Sequence, residues 1–528
     1  MGLTPSIDGA EVRTVLRSGR EIALIDLRPE ATFAAGHPLF AASMPLDTLE
    51  LEAPARLPRL HVPIVVYGER EVDTLTGVAR LAELGYTAIS ILSGGLAGWV
   101  ASGGELFQDV NTPGKAFGEL VAAQAGTPQI DPRRAQPVLG SGPVLIDVRT
   151  PGEYTTMHVP GAVNVPGAGV VGAAAALAPD PEAMVIVNCA GRTRGIIAAQ
   201  SLIDAGLPNP VAALQNGTIG WTLAGLSLER GPDSAEPTLP AAAAAQAQAR
   251  ATAVSARAGV PRIDARGLGR LRERGDRTVY CFDVRSAEEF GAGHPPGFTW
   301  APGGQLIQET DHYAPVRGAV IVLAEDDSGR AHMTASWLAQ MGWDSRVLVG
   351  PPGPASSNIA APDIPTVEWL SADAVATATL VVDVSTSVAY DRSHIRGSVW
   401  CRRSVLAGLQ GSPPDEALAG AELVVVTSDD DRLTALACRD LARHLESSDH
   451  RAPVAGFAGG PAAWAADGRA VDTGPGRKLS APDDVYRRPY VGTDVSPDAM
   501  RAYLEWEHGL VAQLERDGTH GFWVLGRR

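Results

Sequence analysis

The sequence has few cysteines, no long apolar run and no excess of basic residues. Its four cysteines lie far apart and form no Cys-x-x-Cys pair, so neither a disulfide framework nor a zinc site is predicted. No stretch approaches the roughly 18 apolar residues that a membrane-spanning helix needs. The formal net charge of −16 argues against binding to nucleic acid or to an anionic membrane.

The first residues also lack the basic segment and apolar core of a secretory signal. Together with the absence of paired cysteines, this predicts a cytoplasmic location, and no cofactor is expected. At 528 residues, 45% of them apolar, the chain is long enough for about three to four globular domains.

An internal repeat is the strongest feature of the sequence. A short β-rich run that ends in an acidic residue occurs four times, at residues 23–26, 144–147, 279–283 and 380–383. The first three copies continue as Asp-x-Arg, whereas the fourth has lost the arginine. A histidine follows in every copy, at His37, His158, His294 and His394.

A second apolar run occurs in each copy, at residues 63–67, 184–188, 319–323 and 422–426. Because these runs do not alternate between apolar and polar residues, they are typical of strands buried between helices in a parallel sheet. Each is followed by a loop and a stretch of helical periodicity, and three copies end in Gly-x-x-x-Trp. The pattern predicts an α/β fold of four tandem domains, each a mainly parallel central sheet flanked by helices.

The repeat also sets the expected domain boundaries. The copies occupy residues 1–109 (copy one), 128–232 (copy two), 259–355 (copy three) and 362–474 (copy four). Residues 233–258 form an alanine-rich linker that should be partly helical. Residues 475–528 form a C-terminal tail with a helix start at Ser496 and Pro497, and the tail is expected to pack on a domain or on a second subunit of a homodimer.

The loop after the second apolar run of copy two contains the residues best suited to catalysis. It reads Cys189-Ala190-Gly191-Arg192-Thr193-Arg194 and precedes a helix. Backbone N–H groups at a helix N-terminus and the helix dipole favour a bound anion, and they favour the cysteine thiolate, which is the reactive form. Gly191 permits a tight loop, and the two arginines add positive charge. We therefore predict that Cys189 is a nucleophile that attacks a sulfane sulfur.

With this loop, the chain resembles the rhodanese superfamily of sulfurtransferases. The resemblance covers residues 1 to about 474 and includes Asp147-Val148-Arg149, the turn at 158–162 and the ending from Gly217 to Trp221. It implies that Cys189 takes sulfur from a small anionic donor and, as a persulfide, passes it to a thiol or cyanide acceptor. The substrate-binding residues would be those of the loop: Ala190, Gly191, Arg192, Thr193 and Arg194.

There are two alternatives to a rhodanese-type enzyme that uses thiosulfate, of which one is disfavoured and one stays open. Phosphatases of this fold have a loop one residue longer that ends in arginine, and Gly195 at that position disfavours phosphatase chemistry. Thiosulfate is favoured as donor by the two loop arginines, but a low-molecular-weight persulfide is equally compatible.

The other copies lack the nucleophile, since Gly68, Ala324 and Ser428 replace the cysteine and acidic loops follow. Carboxylates at a helix N-terminus can satisfy its N–H groups themselves, so these loops are predicted to be capped from within. Copies one, three and four are interpreted as structural or docking modules. An alternative function is a sulfur-carrier or scaffold protein whose inactive copies dock a partner.

The remaining polar and cysteine residues are interpreted mainly as structural. His158 and Arg149 recur in copies without the nucleophile, and Asp147 is the expected partner of Arg149. Cys281 and Cys438 stand among apolar residues and are predicted to pack in the core. Cys401, just after a predicted strand, is a candidate for a partly exposed second thiol.

Overall fold

The computed structural model describes residues 4–140, 142–231, 238–324, 326–351, 363–406, 413–446, 452–492 and 494–526. These residues form four mainly parallel sheets in succession along the chain, and a short antiparallel pair. The predicted fold class is confirmed, because several mainly parallel sheets are flanked by helices and a helix lies near the C-terminus.

Copy one forms the first sheet. Its elements are β1 (Ser6–Ile7), α1 (Gly9–Ser18), β2 (Ile22–Asp26), α2 (Glu30–Ala35), β3 (Ala41–Ser43), α3 (Leu49–Arg56), β4 (Ile64–Tyr67), α4 (Glu71–Glu83), β5 (Ile89–Leu92) and α5 (Gly95–Ala101). The strands pair in parallel in the order β1-β5-β4-β2-β3. Helix α6 (Thr112–Ala125) then leads to copy two.

Copy two forms the second sheet, with parallel strands in the order β6-β10-β9-β7-β8. Its elements are β6 (Gln129–Ile130), α7 (Pro132–Ala135), β7 (Val144–Asp147), α8 (Pro151–Thr156), β8 (Val163–Asn164), α9 (Val170–Leu177), β9 (Val185–Asn188), α10 (Thr193–Asp204), β10 (Val211–Leu214) and α11 (Gly217–Leu223). The alanine-rich segment is helix α12 (Ala241–Arg257), which packs between α9 and copy three.

Copy three forms the third sheet, with parallel strands in the order β11-β16-β15-β12-β13. Its elements are β11 (Arg262–Ile263), α13 (Ala265–Arg274), β12 (Val279–Asp283), α14 (Ala287–Ala292), β13 (Thr299–Trp300), α15 (Gly303–Gln308), α16 (Thr310–Tyr313), β14 (Val316–Arg317), β15 (Val320–Ala324), α17 (Arg330–Gln340) and β16 (Asp344–Leu348). Strand β14 leaves this sheet and pairs antiparallel with β2 of copy one.

Copy four and the tail contain the remaining elements. They are α18 (Ala372–Val375), β17 (Leu380–Asp383), α19 (Ser387–Arg392), β18 (His394–Ile395), β19 (Val399–Trp400), α20 (Arg403–Leu406), α21 (Pro413–Leu418), β20 (Val424–Thr427), α22 (Asp431–Glu446), β21 (Val454–Phe457), α23 (Gly460–Ala466), β22 (Val471–Asp472), β23 (Arg477–Lys478) and α24 (Pro497–Asp517). The sheet order is β21-β20-β17-β19-β23. Strand β23, from the predicted tail, therefore extends the fourth sheet.

The second apolar run of each copy forms an inner strand of its sheet. Strands β4, β9, β15 and β20 each lie between two parallel neighbours, and all their residues are buried. Such strands are covered on both faces, which explains their uninterrupted apolar sequence.

The repeated histidine has a structural role in every copy. Each histidine ring stacks on an aromatic ring four residues earlier, in the pairs Phe33/His37, Tyr154/His158, Phe290/His294 and Tyr390/His394. The repeated arginine binds the aspartate two residues earlier, for example Arg149 to Asp147 at 2.7 Å. Both interactions agree with the structural interpretation.

Helix α6 is a central element of the molecule rather than a plain connector. All residues from Thr112 to Val121 are buried, and the helix packs on α10 and α24. The Phe117 ring meets Trp337 of copy three and Phe522 of the tail edge-on, at 5.9 and 5.5 Å between ring centroids. One hydrophobic core consequently runs through copies one, two and three and the tail, while copy four has its own.

We expect Phe117→Ala to lower the free energy of unfolding by about 3–5 kcal/mol, because it removes a fully buried ring from this shared core. The measurement is urea unfolding followed by circular dichroism. Leu75→Ala, at a side chain that is 47% exposed, is the control and should change stability by less than about 0.5 kcal/mol. Equal stability of the two variants would mean that α6 is only a connector.

Candidate active site

Cys189 lies directly after β9, at the carboxyl end of an inner strand of the second sheet. In open α/β sheets this edge is where ligands bind. The side chain is 3% exposed, and the backbone N–H of Gly195 donates a hydrogen bond to its sulfur. A Cβ at Gly195 would lie 3.4 Å from that sulfur, so helix α10 begins directly against the thiol.

Helix α11 holds the Cys189 loop in place. The backbone N–H groups of Thr218 and Ile219 donate to the carbonyl oxygens of Cys189 and Ala190, at 2.9 and 3.0 Å. Gly217 has a φ of +56°, and a Cβ there would lie 2.2 Å from the Cys189 carbonyl oxygen. This close approach explains the glycine of the Gly-x-x-x-Trp pattern.

Both loop arginines are bound by carboxylates. Arg192 donates to both carboxylate oxygens of Glu119 on α6, at 2.6 and 2.8 Å. Arg194 makes the same forked contact with Glu153 on α8, with two distances of 2.7 Å, and also donates to Gln305 of copy three. The guanidinium groups thus fix the shape of the loop. Their predicted contact with a substrate stays a prediction.

The cavity beside Cys189 is closed by residues from outside copy two. Besides the loop residues 189–194, it is lined by Lys115 of α6, Gln308 of copy three, and Tyr490, Tyr503 and Glu507 of the tail. Its free volume is about 10 Å³, enough for about one water molecule. The tail therefore packs on copy two and covers the candidate nucleophile.

Burial raises the pKa of the Cys189 thiol, although Arg194 and the Gly195 N–H act in the opposite direction. The loop field thus favours the thiolate, as predicted, but the net shift favours the thiol. Desolvation by burial outweighs the field of the loop. The other cysteines are buried too, and Cys401 is 0% exposed, so it is not the partly exposed thiol that the sequence suggested.

Glu507 is the most perturbed acid of the cavity. Burial, followed by the nearby charge of Glu119, raises its pKa to about 8, while Lys115 and Arg192 act against that shift. Tyr503 donates a hydrogen bond to one carboxylate oxygen at 2.8 Å. The other oxygen has no hydrogen-bond partner among the described residues.

The equivalent loop of copy three contains its own anion. Asp326 accepts hydrogen bonds from the backbone N–H of Ala331 at 3.0 Å and from Arg330 at 3.0 Å. Arg330 also binds Glu289 with two distances of 2.7 Å, as Arg194 binds Glu153. The predicted internal capping is thus observed here, whereas Glu325 lies outside the described residues.

The other two inactive copies differ from each other. In copy four, Asp430 accepts from the backbone N–H of Arg432 at 2.9 Å, which also caps the helix from within. In copy one, the N-cap residue of α4 is Arg70 and makes no side-chain cap hydrogen bond, so the same expectation is wrong there.

Sequence reasoning found the loop but not the groups that cover it. Lys115 and Glu119 lie between the predicted copies one and two, and neither they nor Tyr490, Glu507 and Gln308 were considered as site residues. The start of α24 at Pro497, capped by Ser496, was predicted correctly. Nothing local in the sequence indicated that this helix would reach Cys189.

Comparison with known proteins agrees with this architecture. A family model of the rhodanese-like domain matches residues 10–102 and 132–224. The crystal structure of a thiosulfate sulfurtransferase from Pseudomonas aeruginosa is 46% identical, and the match covers 99% of this chain and 100% of that chain with a TM-score of 0.93. The chain belongs to the rhodanese family.

Other matches to solved structures are shorter. A rhodanese-like domain from Anabaena sp. is 31% identical over 20% of this chain and 80% of its own, with a TM-score of 0.19. A polysulfide-sulfur transferase from Wolinella succinogenes is 26% identical over 21% of this chain and 82% of its own, with a TM-score of 0.19. No curated protein sequence matches the chain. Among the described residues, no helix combines the length and apolar character needed to cross a membrane.

We expect Tyr503→Ala to speed alkylation of Cys189 by iodoacetamide by about tenfold or more, because the ring packs against the loop at Gly191 and its loss loosens the cover. Peptide mass spectrometry after timed alkylation gives the rate. Arg501→Ala, on the exposed side of the same helix, should leave the rate unchanged. If both variants react like the wild type, the tail does not limit access to Cys189.

The raised pKa of Glu507 predicts that the stability of the protein depends on pH. The pKa of Glu507 in the folded protein, about 8, lies above the ordinary value of 4.5. Its contribution to the free energy of unfolding is therefore fully present below pH 4.5 and is lost as pH rises through 8. The glutamine of Glu507→Gln cannot ionise. We therefore expect the difference between the Tm of this variant and that of the wild type to rise by at least about 2 °C between pH 6 and pH 9. Glu505→Gln, at an exposed position of α24, should show no such change. A pH-independent difference for Glu507→Gln would contradict the assignment.

Proposed function

We propose that the chain is a rhodanese-type sulfurtransferase that carries sulfur on Cys189. The single observation behind this proposal is the position of Cys189 between an inner strand and the N-terminus of α10, with the Gly195 N–H donating to its sulfur. This N–H and the helix dipole would stabilise the negative charge of a persulfide at that point.

The proposed first half-reaction conserves atoms and charge. The Cys189 sulfur attacks the outer sulfur of thiosulfate, a new S–S bond forms, and the bond to the sulfonate sulfur breaks with its electron pair. The products are the Cys189 persulfide anion and sulfite, which takes up the thiol proton. In the second half-reaction, a thiol or cyanide acceptor removes the outer sulfur and leaves the Cys189 thiolate.

Thiosulfate is the donor best supported, because the Pseudomonas aeruginosa protein that matches over 99% of this chain is a thiosulfate sulfurtransferase. A low-molecular-weight persulfide is the second candidate donor. The backbone of residues 190–194, rather than the arginine forks, would contact the transferred sulfur, since both forks are held by Glu119 and Glu153.

We also propose that copies three and four are divergent rhodanese-like domains, each without a nucleophile. Copy three has the same strand order as copy two, and copy four has the same order over four strands, β21-β20-β17-β19 against β10-β9-β7-β8. The repeated histidine stacks also support the proposal. Their contacts with other copies favour a structural role over partner docking. Arg403 of copy four, for example, binds Glu50 of copy one at 2.6 Å in a buried ion cluster.

We expect thiosulfate to add one sulfur atom to the wild-type protein and none to Cys189→Ser, as measured by intact-protein mass spectrometry. Cys438→Ser, which removes another buried thiol, is the matched control and should still gain the sulfur. Inorganic polysulfide and glutathione persulfide are tested as further donors.

Loading of Cys438→Ser but not of Cys189→Ser would support the assignment of the nucleophile. If no donor adds sulfur to the wild type, the proposed sulfurtransferase activity is wrong for these donors, and a scaffold function becomes the better explanation.

A further inference from the structure

The cavity at Cys189 contains a cation that the loop does not supply. The sequence has two lysines among its 44 basic residues, Lys115 and Lys478. Lys115 is 2% exposed and lines the cavity together with Cys189. A buried lysine is costly unless its charge is compensated, so its position next to the candidate nucleophile calls for a function.

The ammonium group of Lys115 keeps unused hydrogen-bonding capacity. Its one carboxylate contact among the described residues is with Asp109 at 3.0 Å. Otherwise it faces the rings of Tyr490, Tyr503 and Trp506, at 5.3 to 5.6 Å from their centroids. An ammonium group has three N–H donors, and ring faces attract its charge without accepting conventional hydrogen bonds.

Two further buried polar groups of the cavity lack partners among the described residues. They are the hydroxyl of Tyr490, a residue that is 8% exposed, and one carboxylate oxygen of Glu507, a residue that is 0% exposed. The Nε of Arg194 is likewise unpartnered. Unsatisfied buried groups are rare, and several around one small cavity indicate a ligand that would satisfy them.

The arginines of the loop have too few free N–H donors to bind an anion in the cavity alone. All three nitrogens of the Arg192 guanidinium donate hydrogen bonds to Glu119, Asn216 and Gln129. Two of the three nitrogens of Arg194 are likewise bound to Glu153 and Gln305. Lys115 is therefore the cation of the cavity with the most donor capacity left for an anion.

We propose that Lys115 and Tyr490, joined by Glu507, form a binding site for the oxyanion end of the sulfur donor beside Cys189. The site deepens the proposed function and depends on it. It selects donors whose sulfane sulfur is bonded to an oxygen-bearing anionic group, as in thiosulfate. Because the cavity holds about one water molecule, the proposal requires the tail to move so that the donor can enter.

The three groups have complementary parts in this site. The Lys115 ammonium offsets the negative charge of the sulfonate, and the Tyr490 hydroxyl donates a hydrogen bond to one of its oxygens. Since the pKa of Glu507 is about 8, its carboxyl group is mostly neutral near pH 7 and can donate rather than repel. The same contacts would stabilise the departing sulfite.

The test compares Lys115→Gln with Lys478→Gln. Lys478 is a matched control, because it also pairs with an aspartate, Asp391, and lies 5.6 Å from the ring centroid of a tyrosine, but on β23 of the fourth sheet. The rate of persulfide formation on Cys189 is measured against the concentration of thiosulfate and, separately, of inorganic polysulfide, which has sulfane sulfur but no oxygen.

We expect Lys115→Gln to raise the KM for thiosulfate by about tenfold or more, as for the loss of a charge-assisted hydrogen bond. Loading from polysulfide should stay within about twofold of the wild type, and Lys478→Gln should match the wild type with both donors. An unchanged KM for thiosulfate, or an equal loss with both donors, would overturn the proposal. Failure of the wild type to load from any donor would instead refute the proposed function.

A second variant covers the case in which Lys115→Gln does not fold. Tyr490→Phe keeps the ring over Lys115 and removes only the hydroxyl group. We expect it to raise the KM for thiosulfate about threefold to tenfold with no effect on polysulfide. In the Cys189→Ser background, where no transfer occurs, calorimetry should show binding of sulfite that Tyr490→Phe weakens. Sulfite binding that is unaffected by this change would contradict the site.

Discussion

The close packing of helix α6 against its neighbours is the constraint on which the candidate active site depends. A Cβ at Gly114 would lie 2.4 Å from the carbonyl oxygen of Gln308, and one at Gly118 would lie 2.9 Å from the Thr193 side chain. Only glycine permits this approach at both positions. Lys115 and Glu119 follow these glycines by one residue each, so they share a helix face that reaches the Cys189 loop.

This arrangement makes the candidate site of copy two depend on other parts of the chain. Helix α6 precedes copy two, Gln305 and Gln308 come from copy three, and the cover comes from the tail. One hydrophobic core connects these parts. A rhodanese-like domain cut out at residues 128–232 would keep Cys189 but lose the partner of Arg192 and every group proposed to bind the oxyanion. The inactive copies and the tail therefore contribute to the site by placing these groups.

Local sequence patterns predicted the fold because they depend on neighbouring residues. The uninterrupted apolar runs became inner strands, and the six-residue loop was placed at the carboxyl end of β9. The same patterns failed where the environment is set by distant parts of the chain. The substrate contact of the two loop arginines stays a prediction, but local patterns did not indicate their carboxylate partners, which lie 73 and 41 residues earlier. The net pKa of Cys189 was misjudged for the same reason, since it is buried beside groups of α6, copy three and the tail that lie far from it in the sequence.

The Asp326 carboxylate of copy three takes the place that the Cys189 sulfur has in copy two. Arg194 and Arg330 make the same forked contact with a glutamate, and the next residue, Gly195 or Ala331, directs its N–H at Cys189 sulfur or at the Asp326 carboxylate. The carboxylate of copy three thus lies where copy two would hold the charge of a persulfide. The charge of copy three is a permanent part of the chain, whereas the proposed persulfide charge of copy two would form and disappear with each turnover. The N-terminus of the copy three helix is therefore satisfied by its own side chain and needs no bound anion.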